Sequence, residues 1–122
     1  MPIVVGYLPT PEGEAALAGA AGEAKMRGAG LTIVPSGHDD EQEFPTGEHE
    51  NLLDGIDYDI VDPGTDADVA ESLIATAEER NADLIVIGLR QRNPVGKLIL
   101  GANAQRILLD AGCPVLTVKP NR

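Results

Sequence analysis

The chain has no tryptophan, one phenylalanine, two tyrosines and a single cysteine among its 122 residues. Without large aromatics, the core must be filled by Val, Ile, Leu and Ala, an aliphatic palette that suits a sheet covered by helices on both faces. One cysteine excludes an intramolecular disulfide, so cysteine usage gives no sign of secretion. Positive charge is scarce too: 9 Lys and Arg against 20 Asp and Glu give a formal net charge of −11. A surface of that sign repels phosphate polymers and anionic lipid, which argues against nucleic acid and membrane partners. The N-terminal Met-Pro-Ile-Val-Val-Gly enters a strand with no basic stretch and no long apolar run, so a cytoplasmic location is expected. The length allows one domain, residues 1–122, with a single core.

Catalytic signatures are also missing. There is no Gly-x-Ser-x-Gly elbow, Walker loop, metal-ligand motif or nucleophile-base pair, so the reading is of a non-enzyme.

Apolar runs and helical patterns alternate along the chain. Ile3-Val4-Val5-Gly6-Tyr7 reads as a buried strand, broken by Pro9, Pro11 and Gly13. Glu12 to Met26 reads as a small-residue helix, acidic at its start, basic at its end and stopped by Gly28 and Gly30. Leu31 to Val34 is the second strand. Ser36 to Gly47 is a polar, acidic loop, and Glu48 to Gly55 can hold at most a short helix. Tyr58 to Val61 alternates, as an edge strand does. Asp66 or Asp68 can cap a helix to about Arg80 with Val69, Leu73, Ile74 and Ala77 on one face, stopped by Asn81. Leu84 to Ile87 is apolar throughout, as expected of a central strand. A Gly-containing loop then leads to a helix near Gly101 that buries Ile107, Leu108 and Ala111, and Pro114 to Lys119 is the fifth strand. This order predicts an α/β fold, a doubly wound parallel sheet with its second helix short or missing.

What is present is concentrated in one window. From Leu84 to Leu109 there is no Asp or Glu, while Arg90, Arg92, Lys97 and Arg106 fall inside that span. A strand, a Gly-containing loop and a helix start are how α/β folds cradle an anion, because helix N-terminal amides attract negative charge. Gly88 and Gly101 have a second reading, as packing glycines at tight turns, and the basic residues have one as a solvated loop. Cys113, just before the last strand, reads as a small buried hydrophobe. His38 and His49 lie among Asp39, Asp40, Glu41, Glu43, Glu48 and Glu50 with no metal-ligand spacing, so they read as part of a solvated acidic loop. The Asp62-Pro63-Gly64 turn would suit a phospho-acceptor, but that needs an acidic pair after the first strand, and Tyr7-Leu8-Pro9 has none.

The pattern resembles the universal stress protein family, most closely over Ala82 to Lys119. The residues that carry it are Ala82-Asp83-Leu84-Ile85-Val86-Ile87-Gly88, Val95-Gly96-Lys97-Leu98-Ile99-Leu100-Gly101, Ile107-Leu108 and Cys113-Pro114-Val115-Leu116-Thr117-Val118. Ile3 to Gly6 and Pro11 to Leu17 are similar to the family's first strand and helix, while Ser36 to Ile56 is shorter than usual. The resemblance implies a five-stranded parallel sheet of order 3-2-1-4-5 with helices on both faces, and a regulator or binding module.

Nucleotide-binding members of the family carry Gly-x2-Gly-x9-Gly-Ser/Thr after the fourth strand and an Asp after the first. Here the same spacing holds Gly88, Gln91, Gly101 and Ala102, while Leu8 stands at the acidic position and Pro9 after it. Asn103 could replace part of the lost hydroxyl chemistry, and Gly96 keeps the loop mobile. Two functions therefore stand open: a dimeric interaction module with a degenerate nucleotide site, or an ATP- or AMP-binding stress sensor, with Mg, using the Gly88 to Gly101 loop. Val115, Leu116 and Val118 form an apolar edge strand, and the resemblance implies a homodimer through it, with any further protein partner unnamed.

Overall fold

The computed structural model describes residues 2–8, 10–35, 47–61, 68–91, 98–99 and 102–120, with the backbone alone described for Gly47, Arg90, Gln91, Leu98 and Ile99. In chain order the elements are β1 (Ile3–Tyr7), α1 (Pro11–Arg27), β2 (Leu31–Pro35), α2 (Gly47–Leu52) and β3 (Tyr58–Ile60), then α3 (Val69–Arg80), β4 (Leu84–Gly88), β5 (Arg90–Gln91), β6 (Leu98–Ile99), α4 (Ala102–Asp110) and β7 (Val115–Val118). The main sheet has five parallel strands in the order β3-β2-β1-β4-β7, the order 3-2-1-4-5 that the resemblance implies. Ile3 stands beside Leu31 on one side and Leu84 on the other, which places β1 at the centre of the sheet.

Alternation along the strands divides the core into two layers. Ile3, Val5, Leu31, Ile33, Leu84 and Val86 face α1, whose Ala16, Leu17, Ala20, Ala21 and Ala24 are buried against them. Small residues let this helix approach closely, and a Cβ at Gly19 would lie only 3.0 Å from a methyl of Val118 in β7. Val4, Val34, Ile85 and Ile87 face the other way, onto Ala70, Leu73 and Ala77 of α3 and Ile107 of α4.

Local signals set the helix ends. Thr10 caps α1, its hydroxyl accepting from the Gly13 amide at 3.2 Å, with Pro11 at the first helical position where no donor is needed. Gly28, at φ 62, closes the helix. Asp68 is the residue that caps α3, accepting from the Glu71 amide at 3.1 Å, and Asn81 ends α3 in the left-handed conformation at φ 52. Asp66 lies outside the described residues.

Four expectations are corrected. The stretch after β4 is not simply a loop: Arg90–Gln91 pairs antiparallel with Leu98–Ile99 in a two-stranded ribbon, which a run broken by Asn and Pro did not signal. The buried face of α3 is Ala70, Leu73, Thr76 and Ala77, rotated from the expected stripe, so Val69 and Ile74 are only partly covered. Leu108 is 39% exposed, because only Ile107 of α4 is buried in the core and Ala111 packs at its rim. His49 is not part of a solvated loop but 7% exposed, on the buried face of α2 as described below. Among the described residues no helix is long and apolar enough to cross a membrane.

Candidate functional site

Chain direction places the candidate crevice. From β1 the chain passes to α1 on one face and then outward to β2, whereas from β4 it passes to α4 on the opposite face and outward to β7. The connections diverge at the carboxyl ends of β1 and β4, a topological switch point where ligands of doubly wound sheets sit.

The first wall of that crevice is the start of α1, and it is tightly built. A Cβ at Gly13 would overlap the backbone of Leu8, and a Cβ at Gly88 would overlap the carbonyl oxygen of Glu12. Gly88 thus lets the first turn of α1 rest on the end of β4. The Leu8 side chain is half-buried beside this turn and offers no polar atom to a ligand.

The second wall is the start of α4, where Ala102 and Asn103 are both exposed. Its N-terminal amides retain the capacity of any helix start to attract an anion. Arg106 is not available to reinforce it, because its Nη1 lies 2.8 Å from Asp68 and its Nε 3.8 Å from Asp110. The capping bond from Glu71 and then the Arg106 guanidinium hold the Asp68 carboxyl below its ordinary value. Gln91 lies in β5, opposite Leu98, on the exit path from β4. Gly96, Gly101, Pro9, Arg92, Lys97, His38 and the Asp62-Pro63-Gly64 turn lie outside the described residues.

Sequence reasoning missed a cluster under the first wall. Tyr7, the last residue of β1, donates from its hydroxyl to Glu14 Oε1 at 2.5 Å. His49 Nε2 lies 3.1 and 3.0 Å from the two carboxylate oxygens of Glu14 and 3.3 Å from the Tyr7 hydroxyl. A ring nitrogen facing both oxygens of a carboxylate carries the proton, so His49 and Tyr7 both donate to Glu14. The Tyr7 and His49 rings also meet edge to face, with centroids 5.4 Å apart. Burial, and then the Glu14 carboxylate, push the Tyr7 hydroxyl well above its ordinary pKa. The signal was present: His49, Leu52 and Leu53 are spaced as one helical face, and Leu53 is fully buried.

A second polar cluster lies at the amino-terminal end of the sheet. Thr32, buried in β2, donates to Asp59 Oδ1 at 3.1 Å and accepts from Arg80 Nη1 at 3.2 Å, and Arg80 pairs with Asp59 Oδ2 at 2.6 Å. These residues border an open cavity of about 370 Å³, away from the switch point. Cys113 is half-buried, and burial followed by the nearby Asp83 push its thiol upward, the opposite of what activates a nucleophile. Among the described residues no group of His, Cys, Asp or Glu is arranged to hold a metal ion.

Comparison with known proteins agrees with this architecture. The universal stress protein family model matches residues 64–119. A universal stress protein of Mycolicibacterium smegmatis is 41% identical over 98% of this chain and 98% of its own. Among solved structures, a universal stress protein from Archaeoglobus fulgidus superposes with a TM-score of 0.76 at 30% identity, covering 98% of both chains. A structure of the universal stress protein from the same organism in complex with dAMP gives a TM-score of 0.72 at 27% identity, again covering 98% of both. The chain belongs to the universal stress protein family.

Proposed function

We propose that this chain acts as a homodimeric interaction protein that keeps the family fold but has a degenerate nucleotide crevice. The observation that carries the reading is the contrast at the switch point. Gly88 seats the first turn of α1, whereas the Leu8 side chain presents no hydrogen-bonding atom and the Ala102 side chain no hydroxyl. Packing positions are kept and ligand-binding chemistry is not, so a nucleotide would have to rely on backbone donors alone.

Dimerisation through the last strand is supported by its position and surface. Among the described residues β7 pairs only with β4, leaving its other edge without a strand. Leu116 on β7 is 36% exposed and Leu109 on α4 83% exposed, while Val115 and Val118 are partly covered. An apolar, unpaired edge favours pairing with a second copy. Sedimentation of the purified chain tests this directly. A dimer that becomes a folded monomer on Leu116→Lys is the expected result, and a wild-type monomer at all concentrations contradicts it.

A second reading, an ATP- or AMP-binding sensor, draws support from the dAMP complex of the Archaeoglobus fulgidus protein. Mg would accompany a triphosphate there. Titration of ligand-stripped protein with ATP and Mg, with Gly101→Glu as control, separates the two. Saturable micromolar binding lost in the control establishes the sensor, and no saturation up to millimolar ATP leaves the interaction protein.

A further inference from the structure

Three observations link α2 to the crevice. First, α2 has six residues, too few to be stable by itself, so its position depends on what it touches. Second, its buried His49 reaches 35 residues back along the chain to Glu14, in the first turn of α1. Third, that turn is the crevice wall: the Gly13 and Glu14 amides are bonded to Thr10, and the Glu12 carbonyl rests on Gly88. Tyr7 completes the chain of contacts by fixing Glu14 to the end of β1.

We infer that Tyr7, Glu14 and His49 form a positioning latch that makes the docking of α2 and the placement of the α1 first turn a single conformational variable. A molecule that moves the crevice wall then loosens α2, and a partner that binds α2 is felt at the crevice, with the same coupling in both directions. The Glu14 carboxylate is the joint. It accepts from both donors, so losing either one leaves the other holding it less firmly, and losing the carboxylate separates both. The inference rests on reading the switch point as the functional crevice, but its test needs no nucleotide and so fails or succeeds separately from that reading.

The experiment is residue-resolved amide hydrogen exchange on the nucleotide-free wild type and on His49→Ala, His49→Gln and Glu14→Ala. In His49→Ala, exchange is expected to rise about tenfold or more in α2 and, with it, at the Gly13 and Glu14 amides. His49→Gln carries an amide nitrogen at the same reach as Nε2, and protection should return at both places. Glu14→Ala removes the joint itself, on a half-exposed side chain, and it should speed exchange in α2. The latch is overturned if His49→Ala frees α2 but leaves Gly13 and Glu14 as in the wild type. A uniform rise across β1 and β4 with no excess at the two segments also contradicts it, as does unchanged α2 exchange in Glu14→Ala.

Discussion

The two walls of the crevice are built by opposite means. On the α1 side, backbone meets backbone at Gly13 and Gly88, a threonine caps the helix, and Tyr7, Glu14 and His49 tie the turn to β1 and α2. On the α4 side the helix opens with exposed Ala102 and Asn103, and the one described cation near it, Arg106, is already engaged by Asp68 and Asp110. The difference teaches that the α1 wall is fixed by packing the fold requires, whereas the described start of α4 carries little of that constraint; on the proposed reading it is also the part whose phosphate chemistry has been lost. A glycine needed for packing persists whether or not a ligand binds, because replacing it displaces backbone.

The largest expected effect comes from breaking the built wall. Gly88→Ala puts a methyl into the Glu12 carbonyl and should cost about 3 kcal/mol or more in urea denaturation, since backbone cannot move aside as a side chain can. Gly6→Ala is the contrast on the same sheet. Its new methyl would lie 2.9 Å from Leu73 Cδ1, the end of a flexible side chain, so a smaller loss is expected.

Next comes pH. The raised Tyr7 pKa means that the folded state favours the neutral phenol, so its contribution is complete below the ordinary tyrosine value of about 10 and is lost as pH rises beyond it. Ultraviolet titration of the folded protein should therefore resolve one phenol that ionises later than an unperturbed tyrosine. Tyr7→Phe should remove it. No late-ionising phenol in the folded protein would contradict the burial and bonding of Tyr7.

Loss of the cap in Thr10→Ala should cost about 1 kcal/mol in the same denaturation assay. At the other wall, Ala102→Ser should change stability by no more than about 0.5 kcal/mol, because the site is exposed. A large loss there would show that the α4 wall is as constrained as the α1 wall and would erase the contrast.

The unequal walls also explain what could be read from the sequence. Continuous apolar runs such as Leu84 to Ile87 revealed the central strands, and Gly28 and Asn81 revealed the helix ends, because both signals are local. The pattern around Gly88 was visible, but its packing role was not, since the partner is a carbonyl 76 residues earlier in the chain, at Glu12. His49 was harder still. Its acidic neighbours Glu48 and Glu50 are exposed on the other side of α2, and composition averages over a helix whose buried face holds one polar residue. Leu108 misled in the opposite way: an apolar residue beside Ile107 looks buried until the short helix turns it outward. Long-range polar contacts, such as Thr32 with Arg80, leave no mark on either local pattern.

The most direct measurement compares ATP binding by the wild type and by the triple variant Leu8→Asp, Gln91→Gly, Ala102→Ser under identical conditions. If the crevice retains its frame but has lost its chemistry, the wild type shows no saturable binding below millimolar ATP and the variant gains it in the micromolar range. Micromolar binding already present in the wild type and unimproved in the variant would contradict the reading of a degenerate site.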